Sequence, residues 1–231
     1  MTPMPYYVSP EQLMKDRADY ARKGIARGKS ILAIEGGDGI MFVAENPSAT
    51  LHKVSEIYDR VAFCAVGKYN EFENLRIAGV RLADMRGYVY GREDVTAKAI
   101  ANAYAQALGT IFTQEMKPFE VELLVAQLGD AQHADELFHV LYDGSVSDEQ
   151  GFVAMGGQAD ALLSALAADY HEGLSFDDSL RLGAKALSAS DPNRALDPDN
   201  LEVAVLERSR PRRTFRRLAD GDVRGILAAA R

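Results

Sequence analysis

The chain has 231 residues, a net charge of −8 and one cysteine, Cys64. This length suits one domain with a large hydrophobic core, and a single cysteine excludes an internal disulfide and fits a reducing compartment. No run approaches the roughly 18 apolar residues that a membrane helix needs, and the start, MTPMPYYVSPEQ, lacks the pattern of a signal peptide. We therefore expect a cytoplasmic protein that acts neither in a membrane nor, given its acidic balance, on nucleic acid.

The first predicted element is a helix over about residues 10–26. Ser9 can serve as its N-cap, Pro10 as its first residue and Gln12 as the third position of a capping box. Apolar side chains then recur at helical spacing, at Leu13, Met14, Tyr20, Ala21 and Ile25. Residues 1–9 show no such period, and we predict that they form a tail.

Strands and then two helices are predicted next. Strands over Ile31–Glu35 and Gly39–Ala44 flank Gly36-Gly37-Asp38, a strong hairpin signal. Val61–Val66 is apolar on both faces, which is typical of a central strand. One helix follows from near Asn70, and a second, apolar at helical spacing between 97 and 112, has Asp94 as its predicted N-cap.

The rest of the chain repeats this succession. We predict strands over Val121–Leu128, Leu137–Tyr142 and Phe152–Met155, helices from Ala159 to Tyr170 and from Ser175 with Asp178 as capping partner, and strands over Leu201–Glu207 and Thr214–Leu218. The order lacks the strict strand–helix alternation of a doubly wound sheet. It favours an α+β domain in which two sheets stack and helix pairs cover their outer faces.

Residues Gly24–Ser30 come close to a nucleotide-binding P-loop. Three residues separate Gly24 from Gly28 where a P-loop has four, and a helix precedes the segment where a strand should stand. The end of a helix explains these glycines better than a phosphate site. A nucleotide-binding enzyme therefore stays only as a third alternative.

The histidines and Cys64 predict neither a metal nor a cofactor. No two of the four histidines have the i, i+4 spacing of helical metal ligands, and no cysteine pair accompanies them. Cys64 lies within an apolar strand, which predicts a buried thiol rather than a reactive one.

Two basic features remain. The segment Arg208–Arg217 holds six arginines, but in an acidic chain without an aromatic platform beyond Phe215 a solvated strand face or a subunit contact is favoured over nucleic acid. Lys53 precedes the Val61–Val66 strand, and its local sequence alone describes an exposed lysine.

The sequence as a whole resembles a known family. Residues 9–76, SPEQLMKDRADYARKGIARGKSILAIEGGDGIMFVAENPSATLHKVSEIYDRVAFCAVGKYNEFENLR, are similar to the front half of proteasome α subunits of the kind found in actinobacteria. Further similarity lies in residues 116–127, in YDGS at 142–145, in VAMGG at 153–157 and in LEVAVLERSRPRRTFRRL at 201–218. The resemblance covers nearly the whole chain.

The resemblance implies the N-terminal-nucleophile hydrolase fold, a four-layer α-β-β-α sandwich of two antiparallel sheets. It implies a single domain over 10–231 behind a flexible tail over 1–9. In the catalytic β subunits of this family a threonine at the head of the first strand is the nucleophile. Its position falls on Lys29, the β acid position on Glu45 and the β lysine position on Lys53. A non-catalytic subunit is therefore implied, and a catalytic β-type hydrolase of the same fold is the alternative.

The resemblance also implies an assembly. The partners are other α subunits in a homo-heptameric ring, β subunits, a hexameric AAA+ ATPase activator and substrate proteins tagged with a small protein modifier. The helix over 10–26 packs between neighbours in the ring, and we expect its apolar face, including Ile25, at that interface. The implied activator-docking pocket holds Lys53, Gly28 and Gly67, and Lys53 receives a C-terminal carboxylate. The implied pore gate consists of Thr2, Pro3, Met4, Pro5, Tyr6, Tyr7, Val8 and Ser9.

Overall fold

The computed structural model describes residues 9–190 and 196–229. The helices are α1 (Pro10–Ile25), α2 (Tyr69–Val89), α3 (Ala97–Gln114), α4 (Ala159–Asp169), α5 (Phe176–Ser190) and α6 (Asp220–Ala228). The strands are β1 (Ile31–Gly36), β2 (Gly39–Glu45), β3 (Val54–Tyr58), β4 (Val61–Gly67), β5 (Val121–Gln127), β6 (Glu136–Val140), β7 (Val146–Glu149), β8 (Phe152–Met155), β9 (Leu201–Glu207) and β10 (Phe215–Arg217).

The strands form two five-stranded sheets. The first has the order β10-β9-β2-β1-β8 and the second the order β3-β4-β5-β6-β7, and neighbouring strands are antiparallel. The inner strands β2, β4, β5 and β9 are buried along nearly their whole length. Both faces of each sheet are therefore covered, and this explains why these strands read as continuous apolar runs.

Three apolar clusters define the layers. One lies between the sheets and includes Phe42 and Cys64. A second lies between the β3–β7 sheet and the helices α2 and α3, and a third between the β10–β8 sheet and the helices α4 and α5. The predicted order of helices, sheet, sheet and helices is confirmed. Cys64 is fully buried as predicted, and burial raises the pKa of its thiol well above the usual value.

Helix α1 closes one open end of the sandwich. The Ser9 hydroxyl caps it by accepting from the Gln12 amide at 3.2 Å, as the sequence predicted. The expectation that Ile25 lies at a subunit interface is wrong, because Ala21 and Ile25 are buried in this chain's own core between the sheets. The apolar residues that α1 exposes are instead Leu13 and Tyr20, at 44% and 48%.

The prediction of Asp94 as N-cap of α3 is wrong. Residues Arg92–Asp94 form a turn of 3₁₀ helix, and the N-cap is Thr96, whose hydroxyl accepts from the Ala99 amide at 3.3 Å. Three elements lacked a clear sequence signal, namely β3, β7 and α6. The strand β7 is a largely exposed edge strand of polar composition, VSDE, so it carries no hydrophobic alternation.

The segment that imitates a P-loop is the connection from α1 to β1. Helix α1 ends at Ile25 with Ala26 as C-cap, and the Gly28 amide donates to the Ile25 carbonyl at 2.8 Å. A helix therefore precedes the glycines, as the sequence predicted. The division into a tail over 1–9 and one domain over 10–231 stays a prediction, because residues 1–8 lie outside the described part.

Candidate functional site

The candidate site lies at the head of β1, where the chain leaves α1. The Lys29 ammonium lies 3.5 Å from the carboxylate of Glu45, which ends β2. The Lys53 ammonium donates to the Lys29 carbonyl at 2.7 Å. The structure therefore brings together the three positions that the resemblance matched to the nucleophile, the acid and the lysine of catalytic β subunits.

Lys53 is partly buried in a charged environment. Burial lowers the pKa of its ammonium to about 8, the carboxylates of Glu202 and Glu45 oppose this, and the ammonium of Lys29 adds to it. A lysine with this pKa is about half charged near pH 8 and gains its full charge when an anion binds beside it. The Lys53 ammonium thus lies in a partly buried site beside the carboxylates of Glu202 and Glu45 and the ammonium of Lys29.

Gly28 and Gly67 bring the main chain close to this site. A side chain on Gly28 would place its Cβ 2.7 Å from Val66 Cγ1 and 3.2 Å from the Gly67 nitrogen. Gly67 has φ +112°, and a Cβ there would lie 1.9 Å from the Glu120 carbonyl oxygen. Both positions therefore require glycine, and Gly28, Gly67 and the Lys29 carbonyl that Lys53 contacts form one compact unit.

A cleft of 370 Å³ opens beside this unit. It is lined by the segment 26–30, by Glu45, by Gly157 and Gln158, and by Leu187 and Ser190 of α5. Lys53 is not among the residues that line this cleft, and it contacts the cleft-lining residue Lys29 through the carbonyl. A larger cavity of 710 Å³ lies at the opposite end of β1, around Glu35 and Gly36, and shares no residue with the candidate site.

The arrangement is unsuited to nucleophilic catalysis by an N-terminal residue. That chemistry needs a hydroxyl or thiol beside a free α-amine, whereas the head of β1 carries Lys29 within a continuous chain after α1. The next residue, Ser30, is buried, and its nitrogen is an ordinary peptide nitrogen. What the site offers is an ammonium group next to a tight glycine-lined turn.

Comparison with known proteins decides the family. Residues 25–206 match the family described as "Proteasome subunit". The chain belongs to the proteasome subunit family. A protein of Kineococcus radiotolerans named "Proteasome subunit alpha" is 60% identical over 97% of this chain and 98% of its own length. Relatives of the same name in Thermomonospora curvata and Thermobifida fusca are 58% and 57% identical over 97% and 93% of this chain. The predicted resemblance to α-type subunits of actinobacteria is confirmed.

Four of the six arginines of segment Arg208–Arg217 in this proteasome subunit form ion pairs within the chain. Arg208 contacts Asp135 at 2.8 Å, Arg213 contacts Glu56 at 2.6 Å, Arg216 contacts Glu207 at 2.8 Å, and Arg217 contacts Glu202. The segment ties β9 and β10 to neighbouring loops and strands, which agrees with a strand face rather than a nucleic-acid patch.

Among residues 9–190 and 196–229, no group of three or more histidine, cysteine or carboxylate side chains could hold a metal ion, and no helix has both the length and the apolarity to cross a membrane.

Glu202 was not identified from the sequence. This buried carboxylate on β9 accepts a hydrogen bond from the Lys53 amide at 2.9 Å. A glutamate at the second position of the strand LEVAVLE, followed by four apolar residues, was the available signal, since charges in a central strand are rare unless they are paired.

The predicted gate lies mostly outside the described residues. Thr2, Pro3, Met4, Pro5, Tyr6, Tyr7 and Val8 are not described, and only Ser9 is, as the N-cap of α1. A role of this tail in the proteasome subunit therefore stays a proposal.

Proposed function

We propose that the chain is a non-catalytic α subunit of a proteasome core particle, which forms the outer heptameric ring, gates substrate entry and docks an ATPase activator. One observation carries the proposal. Lys29 occupies the head of β1, and α1 stands before it as a packed helix whose Ala21 and Ile25 belong to the core. Removal of residues up to β1 would open that core, so no processing step can free an N-terminal nucleophile there.

The same observation disfavours the alternative, a catalytic β-type hydrolase. Glu45 and Lys53 keep the positions of the acid and the lysine, but the nucleophile between them is replaced by the ammonium of Lys29. We expect the purified chain to hydrolyse no fluorogenic peptide. Steady turnover that a threonine-directed inhibitor abolishes would support the alternative instead.

The docking proposal rests on Lys53 with Gly28 and Gly67. A partly buried ammonium forms a strong charge-assisted bond with a C-terminal carboxylate, and the Lys53 ammonium already holds one oxygen partner, the Lys29 carbonyl, at 2.7 Å. Gly28 also lines the 370 Å³ cleft, in which a peptide end could lie, and Gly67 fixes the close packing of the main chain beside it. The proposed occupant is the C-terminus of a hexameric AAA+ ATPase, which would deliver substrates tagged with a small protein modifier.

The ring contacts are proposed from α1. Its exposed apolar residues Leu13 and Tyr20 offer a surface for a neighbouring α subunit, and β subunits would complete the particle. The preceding residues 2–9 would lie over the pore, where seven equivalent tails cannot share one conformation at a single axis. Their closure would then be weak enough for activator binding to overturn it.

The test compares Lys53→Ala with Lys98→Ala in particles assembled with a β partner. Lys98 is an exposed lysine of α3, so its loss changes the net charge equally at a distant place. A hydrogen bond to a charged group contributes roughly 1.5–3 kcal/mol, so Lys53→Ala should weaken each pocket about ten- to a hundredfold. We expect ATP-driven degradation of a tagged protein to fall in Lys53→Ala alone, with short-peptide hydrolysis unchanged. Equal rates of degradation by both variants would show that Lys53 is a surface lysine without a role in docking.

A further inference from the structure

A buried carboxylate holds the loop that carries Lys53. Glu202 lies on β9 opposite Ala44 of β2 and is 7% exposed. Its oxygens accept from four donors, namely Asn46 Nδ2 at 2.7 Å, the Lys53 amide at 2.9 Å, the Val54 amide at 3.2 Å and the guanidinium of Arg217. These donors come from the loop between β2 and β3, from the first residue of β3 and from β10, so one side chain on β9 connects several parts of the chain.

Glu202 acts together with other hydrogen bonds of the loop, since the Leu51 amide donates to Ser48 Oγ at 3.0 Å and the Asn46 amide to the Asn200 carbonyl at 2.7 Å. Residues 46–53 form neither helix nor strand, and Asn46 closes the loop by donating to the Leu51 carbonyl at 2.6 Å as well as to Glu202. The Lys53 peptide is held on both sides, because its amide donates to Glu202 and its carbonyl accepts from the Ala65 amide at 3.0 Å. With the main chain fixed in this way, the side chain reaches the Lys29 carbonyl.

We infer that Glu202 is the positioning residue for Lys53, because its carboxylate holds segment 46–54 in the conformation that lays the Lys53 ammonium beside the Lys29 carbonyl. This inference rests on the proposed docking function of Lys53 and adds a second residue to that site. Glu202 touches no ligand in this scheme; it acts through the main chain of Lys53 and through its charge.

The charge of Glu202 distinguishes this role from ordinary loop packing. The charged groups that face Lys53 are Glu202 on β9, Glu45 on β2, Lys29 before β1, Arg217 on β10 and His52 in its own loop, with His52 Nδ1 3.5 Å from Glu202. Burial sets the Lys53 pKa to about 8, and Glu202 is the first of the charges that hold it up. Removal of that charge must lower the pKa further, so Lys53 would lose its proton at a lower pH.

The experiment uses particles of this chain with a β partner and a synthetic peptide with a free C-terminal carboxylate, compared with the amidated peptide. Binding is measured from pH 6.5 to 9.5, values chosen to span roughly 1.5 units on either side of the Lys53 midpoint. The variants are Glu202→Gln, which removes the charge but keeps the shape, and Asn46→Ala, which loosens the loop but keeps the charge. Glu207→Gln is the matched control, because Glu207 lies on the same strand and pairs with Arg216 instead.

In the native chain and in Glu207→Gln, we expect the preference for the carboxylate peptide to decline as the pH rises through about 8. In Glu202→Gln the decline should begin at lower pH, with affinity above the midpoint weaker by about tenfold for each unit by which the pKa falls. In Asn46→Ala the affinity should fall by a similar factor at every pH. An unchanged affinity in Glu202→Gln, or a loss that is equal at every pH, would overturn the inference.

A second measurement separates this inference from the docking proposal. The rate at which acetic anhydride acetylates Lys53, followed by mass spectrometry against pH, reports its titration whether or not any peptide binds. We expect the midpoint to be lower in Glu202→Gln than in Glu207→Gln, and an unchanged midpoint would contradict the inference. If the midpoint shifts but Lys53→Ala retains the preference for the carboxylate peptide, the docking proposal fails while the electrostatic role of Glu202 stands. If Glu202→Gln does not fold, Asn46→Ala still tests the positioning, and its failure to weaken binding would refute it.

Discussion

Gly67→Ala tests whether the main chain at the candidate site leaves no room for a side chain. The added Cβ would lie 1.9 Å from the Glu120 carbonyl oxygen and 3.1 Å from the Val121 Cα. These are main-chain atoms at the start of β5 and of the residue before it, so no side-chain rotation can relieve the overlap. The Glu120 carbonyl also accepts from the Lys68 amide at 2.9 Å, and its displacement would break that hydrogen bond.

The expected cost has two parts. A residue other than glycine at φ +112° carries strain of about 1–3 kcal/mol, and an unsatisfied main-chain group costs about 1–3 kcal/mol more. We therefore expect Gly67→Ala to lower the free energy of unfolding by roughly 2–6 kcal/mol, measured by urea denaturation of the full chain. Segment 26–30 contacts Gly67 through Gly28, so carboxylate-peptide binding should weaken as well.

Gly173→Ala is the matched control. Gly173 also has a positive φ, +77°, but a Cβ there would meet nothing within 4 Å. It should show backbone strain alone, about 1–2 kcal/mol. If the two variants lose the same stability, the close contact between Gly67 and β5 contributes nothing, and the reasoning from the overlap with Glu120 is refuted.

Three further predictions concern the tail, the ring and one helix. Deletion of residues 2–8, which keeps Ser9 as the cap of α1, should raise short-peptide hydrolysis by assembled particles while an active-site probe labels both forms equally; equal turnover would show that the tail is no gate. Leu13→Asp should prevent ring formation on a sizing column and leave the chain folded, whereas Ile25→Asp should unfold the chain itself, because it buries an unpaired charge; intact rings with Leu13→Asp would exclude this face from the interface. Thr96→Ala should lower stability by about 1 kcal/mol through loss of the α3 cap, and Asp94→Ala should not; the reverse order in urea denaturation would restore Asp94 as the cap.

The sequence predicted the layers because its strands are long and apolar on both faces. Val61–Val66 was predicted as a central strand and Leu201–Glu207 as a strand, and the structure places both inside the two sheets. The prediction from sequence failed where the local residues are compatible with two different structures. Asp94 and Thr96 are both good N-caps, and only the 3₁₀ turn at Arg92–Asp94 decides between them. The side of the molecule that Ile25 faces was equally undetermined, since an apolar helix face fits a core or an interface.

Only part of the candidate site could likewise be identified from the sequence. Lys53, Gly28 and Gly67 came from resemblance, and their proximity could not be derived from positions 28, 53 and 67 in the sequence. The role of Glu202 could not be predicted, because Asn46 and Lys53, which donate hydrogen bonds to it, lie about 150 residues earlier in the chain. A buried carboxylate in a strand indicates that a partner exists, but only the fold identifies which one.

The position of α1 has a consequence for synthesis of the chain. This helix leaves the ribosome before either sheet, yet Ala21 and Ile25 pack between sheets whose strand β5 ends only at Gln127. At about 5–20 residues per second, its surface stays uncovered for several seconds while those strands are made. A single helix of 16 residues is marginal in water on its own. The helix therefore gains its native contacts only after more than half of the chain has been made, and until then its apolar stripe is accessible to a ribosome-associated chaperone.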